Sequence, residues 1–285
     1  MLKNMKIRFK YSLIILVSIP TIFFYYGCQK VINVDLNDAA PRIVIEGMIT
    51  DRPGPYTVTI SKSGSYFEQP VLPAVSGAIV IISDDLGTID SLREIKPGMY
   101  VTSVIRGKSG RTYTLKVISE NNEYTGSSVM HSHVNIDSLG LRKSESQHFD
   151  LDGNDQNEVH IELHCFFNDP AEKNYYRIKT YINDSIQADN YRLYDDQYTN
   201  GYLTELRVAH AEARHSYRIE LLSLDEKTFL YYRTLEDLIF SNPIFGSTPA
   251  NPDSNLSNGA LGYFGAAAIS SRSLNVTSSM INNVR

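Results

Sequence analysis

The feature that most constrains the fold of this chain is a series of short β-prone runs separated by turn residues. The predicted strands between residues 42 and 130 are 42–47, 56–61, 78–83, 98–103, 112–118 and 123–129. In the second of them, Tyr56, Val58 and Ile60 alternate with polar residues and share one face. Six or seven strands at roughly 8–15-residue spacing are typical of an immunoglobulin-type β-sandwich. The sequence therefore predicts a mainly β fold that begins with an Ig-like β-sandwich over residues 42–130.

A second β-rich segment follows a polar crossover at residues 131–138. Its clearest predicted strand is 157–168, which alternates between an apolar and a polar face. The apolar face carries Val159, Ile161, Leu163, Cys165 and Phe167, and the polar face carries His160, Glu162 and His164. Further strands are predicted at 174–183 and 216–224, with one or two closing strands within 259–276. We therefore predict a second β-rich domain over residues 136–285.

One helix is predicted within this second segment, where the spacing of apolar residues changes from two to three or four. Phe229, Tyr232, Leu235 or Glu236, and Ile239 follow this spacing. They predict an amphipathic helix over about 226–240. Ser223 and Glu226 have the spacing of a capping box at its start, and Asn242-Pro243 favours its end.

The N-terminus has the organisation of a secretory signal. Basic residues precede a mostly apolar run at residues 11–26, and Gly27 and Cys28 follow that run. The run is shorter than the ~20 residues that a transmembrane helix needs. We therefore predict a lipoprotein signal peptide at 1–27, lipidation of Cys28 and a tether at 28–41. The alternative is a plain membrane anchor with an incidental cysteine.

Composition excludes several functional classes. The chain has two cysteines, which excludes a disulfide-stapled scaffold and a four-thiolate metal site. Its net charge is −5, and no basic block lies beyond the N-terminus, so we expect no nucleic-acid partner. Hydrophobic residues make up 42% of the 285 residues, which is enough for a sizeable core.

Three polar clusters have residue types that bind metals but lack the required spacing. His160, Glu162 and His164 lie about 6.6–7 Å apart per step on a strand, which is wide for one metal ion, so we interpret them as a solvated outer face. His131 and His133 form a similar pair in the crossover. The stretch 150–155 resembles a calcium loop but has Asp155 where that loop needs glycine. We therefore expect no catalytic residue, no metal and no cofactor.

Tyrosine supplies the candidate binding surface. Four of the 19 tyrosines fall within residues 191–202, among Asp, Asn and Gly residues: Tyr191, Tyr194, Tyr198 and Tyr202. Tyrosine is enriched at protein interfaces because it offers a large contact area at low entropic cost. We predict a structured loop that contacts a partner or ligand. The alternative is that these rings pack on their own sheet.

Several segments, in this order and spacing, resemble the DUF4249 family of Bacteroidota envelope lipoproteins. The matching segments are Cys28 with 34–37, then 43–51, 53–58, 75–80, 84–87, 98–100, 169–170, 175–177, 242–245 and 259–264. They cover essentially the whole chain after the predicted signal peptide. The resemblance implies an outer-membrane lipoprotein, facing either the periplasm or the cell surface, and it supplies no catalytic motif.

The resemblance also implies a partner, because such proteins tend to be encoded beside TonB-dependent outer-membrane transporters. We therefore expect a non-enzymatic accessory that captures a ligand for the barrel or docks on it. The first alternative is an adhesion or matrix-binding surface module. The second is a hydrolase with an unrecognised site.

Overall fold

The computed structural model describes residues 41–64, 72–148, 156–187, 192–240 and 251–284. The predicted signal peptide, Cys28 and nearly all of the tether therefore lie outside the described residues, as do Tyr191 and the 150–155 stretch. Among the described residues, no helix is both long enough and apolar enough to span a membrane.

The described part of the chain is mainly β, as the sequence predicts, with 16 strands and two helices. The strands of the N-terminal half are β1 (Ile43–Thr50), β2 (Thr57–Lys62), β3 (Ile79–Asp84), β4 (Ile89–Ser91), β5 (Arg93–Lys96), β6 (Met99–Val101), β7 (Thr112–Ser119) and β8 (Asn122–Val129). Those of the C-terminal half are β9 (Ser138–His148), β10 (Gln156–Asn168), β11 (Tyr175–Ile182), β12 (Ser185–Ile186), β13 (Leu193–Asp195), β14 (Leu203–His210), β15 (Ser216–Leu224) and β16 (Leu261–Asn275). The helices are α1 (Glu226–Phe240) and α2 (Ser278–Asn282).

The strands form one large sheet and two small ones. The main sheet has the order β12-β11-β15-β16-β1-β2-β6-β5, and β13 also pairs with β11. A four-stranded sheet has the order β4-β3-β7-β8, and a three-stranded sheet has the order β14-β10-β9. The pairing of β1 with β16 is parallel. The two segments that the sequence presents as successive domains therefore share one sheet, and residues 40–285 form one compact unit.

Both small sheets pack on the same face of the main sheet. In β16, Phe264, Ala266 and Ala268 belong to the cluster that also contains Ile82 and Leu115 of the four-stranded sheet. Tyr217, Ile219 and Leu221 of β15 belong to a second cluster, which contains the buried face of β10. Ser270 continues the face of Ala268 and lies opposite Leu221 in the β15–β16 register, so the two clusters lie side by side on one face.

The buried and the polar faces of β10 agree with the alternation in its sequence. Leu163, Cys165 and Phe167 of β10 are fully buried, while His160, Glu162 and His164 lie on the opposite face. A side-chain period of two residues identifies which face of such a strand is buried, because neighbouring side chains point in opposite directions.

Helix α1 covers the other face of the main sheet. Its Phe229 and Tyr232 pack with Leu222 of β15 and Ala267 of β16. The helix spans the residues that the apolar spacing predicts, but its cap differs. The Oδ1 atom of Asp225 accepts the backbone N–H of Thr228 at 2.7 Å.

The predicted capping box fails because Ser223 still belongs to a strand. β15 continues to Leu224, which leaves Asp225 as the residue between strand and helix. The carboxylate of Glu226 instead accepts the hydroxyl of Tyr175 at 2.6 Å. Only the position at which the strand ends decides which of two nearby polar residues can cap the helix.

Candidate functional site

The tyrosine loop, defined here as residues 192–202, consists of β13, which pairs with β11 of the main sheet, and the turn that connects β13 to β14. Two of its rings are strongly exposed, with 88% of Tyr198 and 73% of Tyr202 open to solvent. Leu203, the first residue of β14, is 62% exposed. Three large side chains within six residues are therefore exposed to solvent.

Tyr194 behaves differently from its neighbours. Its ring lies 6.4 Å from the ring of Phe167 and 6.3 Å from that of Tyr176, measured between centroids. Its hydroxyl forms a hydrogen bond with that of Thr199. Tyr194 therefore packs against the protein's own core, whereas Tyr198 and Tyr202 point outwards.

Two buried carboxylates hold the loop in place. Asp196 is 1% exposed, and its Oδ2 atom accepts the backbone N–H of Asn174 at 2.7 Å. Asp169 is also buried and accepts both the Tyr176 hydroxyl and the backbone N–H of Gly201. Because these bonds connect both ends of the loop to neighbouring chain segments, Tyr198 lies on a preorganised backbone.

The environment of Asp169 also shifts its pKa. Burial raises the pKa of Asp169, and the nearby charge of Asp196 acts in the same direction, against the hydrogen bonds from Tyr176 and Gly201. A carboxyl group in this position serves the loop as a hydrogen-bond acceptor.

The histidine-containing face of β10 carries a network of polar and charged side chains. The Oε2 atom of Glu162 lies 3.2 Å from Nε2 of His164, and its Oε1 lies 2.8 Å from Nε of Arg207. On the other side of the imidazole, Nδ1 lies 3.0 Å from Glu205, which also pairs with Arg142 at 3.0 Å. This face is less solvated than the sequence predicts. Side chains of β9 and β14 cover Glu162 and His164, so that only 15% of each of these two side chains is exposed.

The remaining candidates for chemistry occupy structural positions. His133 contacts the backbone oxygen of Ile269 through Nε2 at 3.1 Å. Burial raises the pKa of Cys165 to about 12, with a further contribution from Asp137, so the thiol stays protonated inside the core. Within the described ranges, no group of three or more His, Cys, Asp or Glu residues is placed to hold a metal ion.

The family model described as "Domain of unknown function (DUF4249)" matches residues 29–273. The match extends from the predicted tether into β16 and ends at Ser273. The chain belongs to the DUF4249 family. The family resemblance found in the sequence segments is thereby confirmed. No curated protein matches the chain.

The DUF4249 match includes β1 to β15, β16 up to Ser273, and the whole tyrosine loop. Sequence reasoning found the loop but missed Asp169 and Asp196 as the groups that hold it. The available signal was an acidic residue before a proline at Asp169-Pro170, a common start of a turn.

Proposed function

We propose that this protein is an outer-membrane-anchored lipoprotein whose folded body is a non-enzymatic accessory of a TonB-dependent transporter. The small residue and cysteine after the N-terminal apolar run support the lipid anchor. The transporter as partner comes from the family resemblance. The body acts by docking on the barrel or by capturing its ligand.

The observation that carries the docking proposal is the exposure of Tyr198 and Tyr202 on an anchored loop. Aromatic side chains dominate the binding energy of many interfaces, since each buries a large area while few rotamers are lost. A loop that is already ordered avoids the entropic cost of folding on its partner. The tyrosine loop therefore has the properties of an interface centre.

We expect replacement of Tyr198 and Tyr202 by alanine to weaken association with the barrel by more than about 1 kcal/mol per ring. The measurement is co-purification of a stoichiometric barrel from detergent-solubilised native membranes. The matched control is Leu86→Ala with Ile89→Ala, because Leu86 is 79% exposed in the turn between β3 and β4 and Ile89 is 66% exposed on β4.

The thermal melt separates docking from packing in the same experiment. The Tyr198 and Tyr202 variant should melt like the wild type, whereas Tyr194→Ala should cost about 2 kcal/mol because its ring packs in the core. Undiminished recovery of the barrel with the double variant would contradict the docking surface. A collapsed melt would assign both rings to the core.

The lipid anchor is tested separately. We expect a clickable fatty acid fed to the native cells to label the wild type and Cys165→Ala but not Cys28→Ser. Cys28→Ser should also be released from the membrane fraction. Equal labelling of the wild type and Cys28→Ser would rule out the anchor, whatever the tyrosine loop does.

We also propose that residues 42–130 form an Ig-like β-sandwich. Support comes from the packing of β1, β2 and β6 on β3 and β7 around the first hydrophobic cluster. In this arrangement β16 adds a strand beside β1 from the C-terminal part of the chain. The sandwich is thus a portion of a larger assembly of sheets.

A further inference from the structure

Two buried carboxyl groups from different parts of the chain meet beneath the tyrosine loop. Asp169 follows the last residue of β10, and Asp196 follows the last residue of β13. Asp169 is 5% exposed and Asp196 is 1% exposed, and the charge of Asp196 acts on Asp169. Two ionised carboxylates repel each other strongly where water is excluded, so this pair requires a counter-charge.

Three of the four carboxyl oxygens have a hydrogen-bond donor. Asp169 accepts the hydroxyl of Tyr176 at Oδ1 and the N–H of Gly201 at Oδ2. Oδ2 of Asp196 accepts the N–H of Asn174 at 2.7 Å. The fourth oxygen, Oδ1 of Asp196, is buried and has no hydrogen-bond partner among the described residues. A buried acceptor without a donor is costly, so this atom indicates that a donor belongs beside it.

The other charged or titratable side chains around the pair have partners of their own. These are Arg233 of α1 with Asp195 at 3.9 Å, Lys173 with Glu226 at 3.4 Å, and the Tyr194 phenol with the hydroxyl of Thr199. In the part of the chain that the structure describes, no basic side chain forms an ion pair with Asp169 or Asp196. A metal ion would need further ligands, and no described group of three His, Cys, Asp or Glu residues is placed to hold one. A proton is therefore the counter-charge that this geometry accommodates.

Backbone hydrogen bonds connect the two aspartates through the turn that carries Tyr198. The N–H of Thr199 donates to the backbone oxygen of Asp196 at 2.9 Å, and the N–H of Tyr202 donates to that of Thr199 at 2.9 Å. The N–H of Asp169 donates to the backbone oxygen of Tyr202 at 3.1 Å. Repulsion between the two carboxyl groups therefore acts on both ends of this turn.

We propose that Asp169 and Asp196 share one proton, and that this proton stabilises the ordered conformation of the tyrosine loop. One carboxyl group donates its O–H to the other, which gives Oδ1 of Asp196 its missing partner. When the proton leaves, two neighbouring carboxylates repel each other and the loop opens. The shared proton is a property of the folded chain alone. Its consequence for the barrel, which is tighter docking at acidic pH, rests on the proposed function.

The direction of the pH dependence follows from Asp169. Burial raises its pKa, and the charge of Asp196 acts in the same direction. Opening the loop exposes the carboxyl group to water and returns its pKa towards the ordinary value of about 3.9. The ordered loop therefore binds the proton more tightly than the open loop does. Its stability falls as the pH rises from about 3.9 through the pKa of the ordered state.

Hydrogen exchange of the full chain in nonionic detergent measures this opening. The protection factor is the observed exchange rate corrected for the intrinsic rate at each pH. For peptides within residues 196–202 it should fall by up to about tenfold for each pH unit between the two pKa values, and then level off. Peptides of β7 are the internal reference. A protection factor of the loop that stays constant with pH would overturn the proposal.

Calcium chloride added at pH 7 distinguishes a proton from a metal ion. It should leave the protection of the loop unchanged. An increase would assign a cation to the pair in place of the proton, and would also overturn the proposal.

Asp196→Asn tests the pair directly, because the amide keeps an acceptor for Asn174 and offers Asp169 a donor that does not titrate. Its loop should stay protected at all pH values between 4 and 8. The matched control is Asp195→Asn, because the neighbouring Asp195 lies 3.9 Å from Arg233, and this variant should keep the pH dependence of the wild type. If Asp196→Asn loses protection with pH as the wild type does, the shared proton is wrong. The barrel takes no part in this measurement, so its outcome is independent of the docking proposal.

Discussion

Replacing Gly262 by alanine should lower the free energy of unfolding by about 3 kcal/mol or more. Gly262 has a φ of +90°, and a Cβ atom there would lie 2.1 Å from the backbone oxygen of Ile45. Ile45 is its partner in the parallel pairing of β1 with β16. A side chain at Gly262 must therefore strain the backbone and also push apart the two strands that join the halves of the main sheet.

Gly87→Ala is the matched control, because Gly87 has a φ of +88° but no other atom lies within 4 Å of the position that a Cβ would take there. That variant incurs only the left-handed backbone penalty of about 1 kcal/mol. Urea unfolding, followed by circular dichroism, measures both variants. Similar losses for the two glycines would contradict the expected clash between a side chain at residue 262 and the backbone of Ile45.

Replacing Asp90 by alanine should lower the free energy of unfolding by about 3 kcal/mol. Asp90 is 1% exposed, and its Oδ2 atom accepts backbone N–H groups of Ser103, Val104 and Ile105 at 2.8, 2.6 and 2.9 Å. Its Oδ1 atom accepts the hydroxyl of Ser103 at 2.9 Å. Alanine would leave these donors without an acceptor next to a fully buried Ile105.

Asp90 also makes stability depend on pH. Burial by itself raises the pKa of Asp90, but the backbone hydrogen bonds of Ile105, Val104 and Ser103 outweigh it, so the pKa lies below its ordinary value. The carboxylate therefore stabilises the fold above the unfolded pKa of about 3.9, and this contribution is lost as pH falls through the folded pKa.

Asp90→Asn is the control for this charge, since it keeps one acceptor oxygen in place. It should lose less stability than Asp90→Ala at pH 7, and its urea midpoint should fall less than that of the wild type between pH 5 and pH 2. The measurement is a urea unfolding series across that pH range. Parallel pH profiles for wild type and Asp90→Asn would contradict the role of the carboxylate.

Much of the secondary structure could be predicted because its signals are local. The alternation at Tyr56, Val58 and Ile60 indicates a half-buried strand, and all three side chains are buried in the structure. The change of spacing near residue 226 predicts the helix that the structure contains. Each of these patterns depends on neighbours within a few residues, so one sequence is sufficient to read it.

The candidate sites were less predictable, because whether a side chain is exposed or buried depends on which other side chains pack beside it. Tyr194 and Tyr198 have the same sequence surroundings, yet Phe167 and Tyr176 cover the first ring and leave the second exposed. Residue spacing along one strand cannot identify side chains that arrive from another.

The sequence by itself therefore determined that this chain is mainly β, where most strands and the long helix lie, and that it belongs to the DUF4249 family. Only the tertiary structure decided that β1 and β16 pair in parallel and unite the two segments in one sheet. The physical reason is that local periodicity reports which face of a strand is buried. The choice of neighbour depends on long-range packing and hydrogen bonding, which close loops of more than two hundred residues here, between Val44 and Leu261 for example.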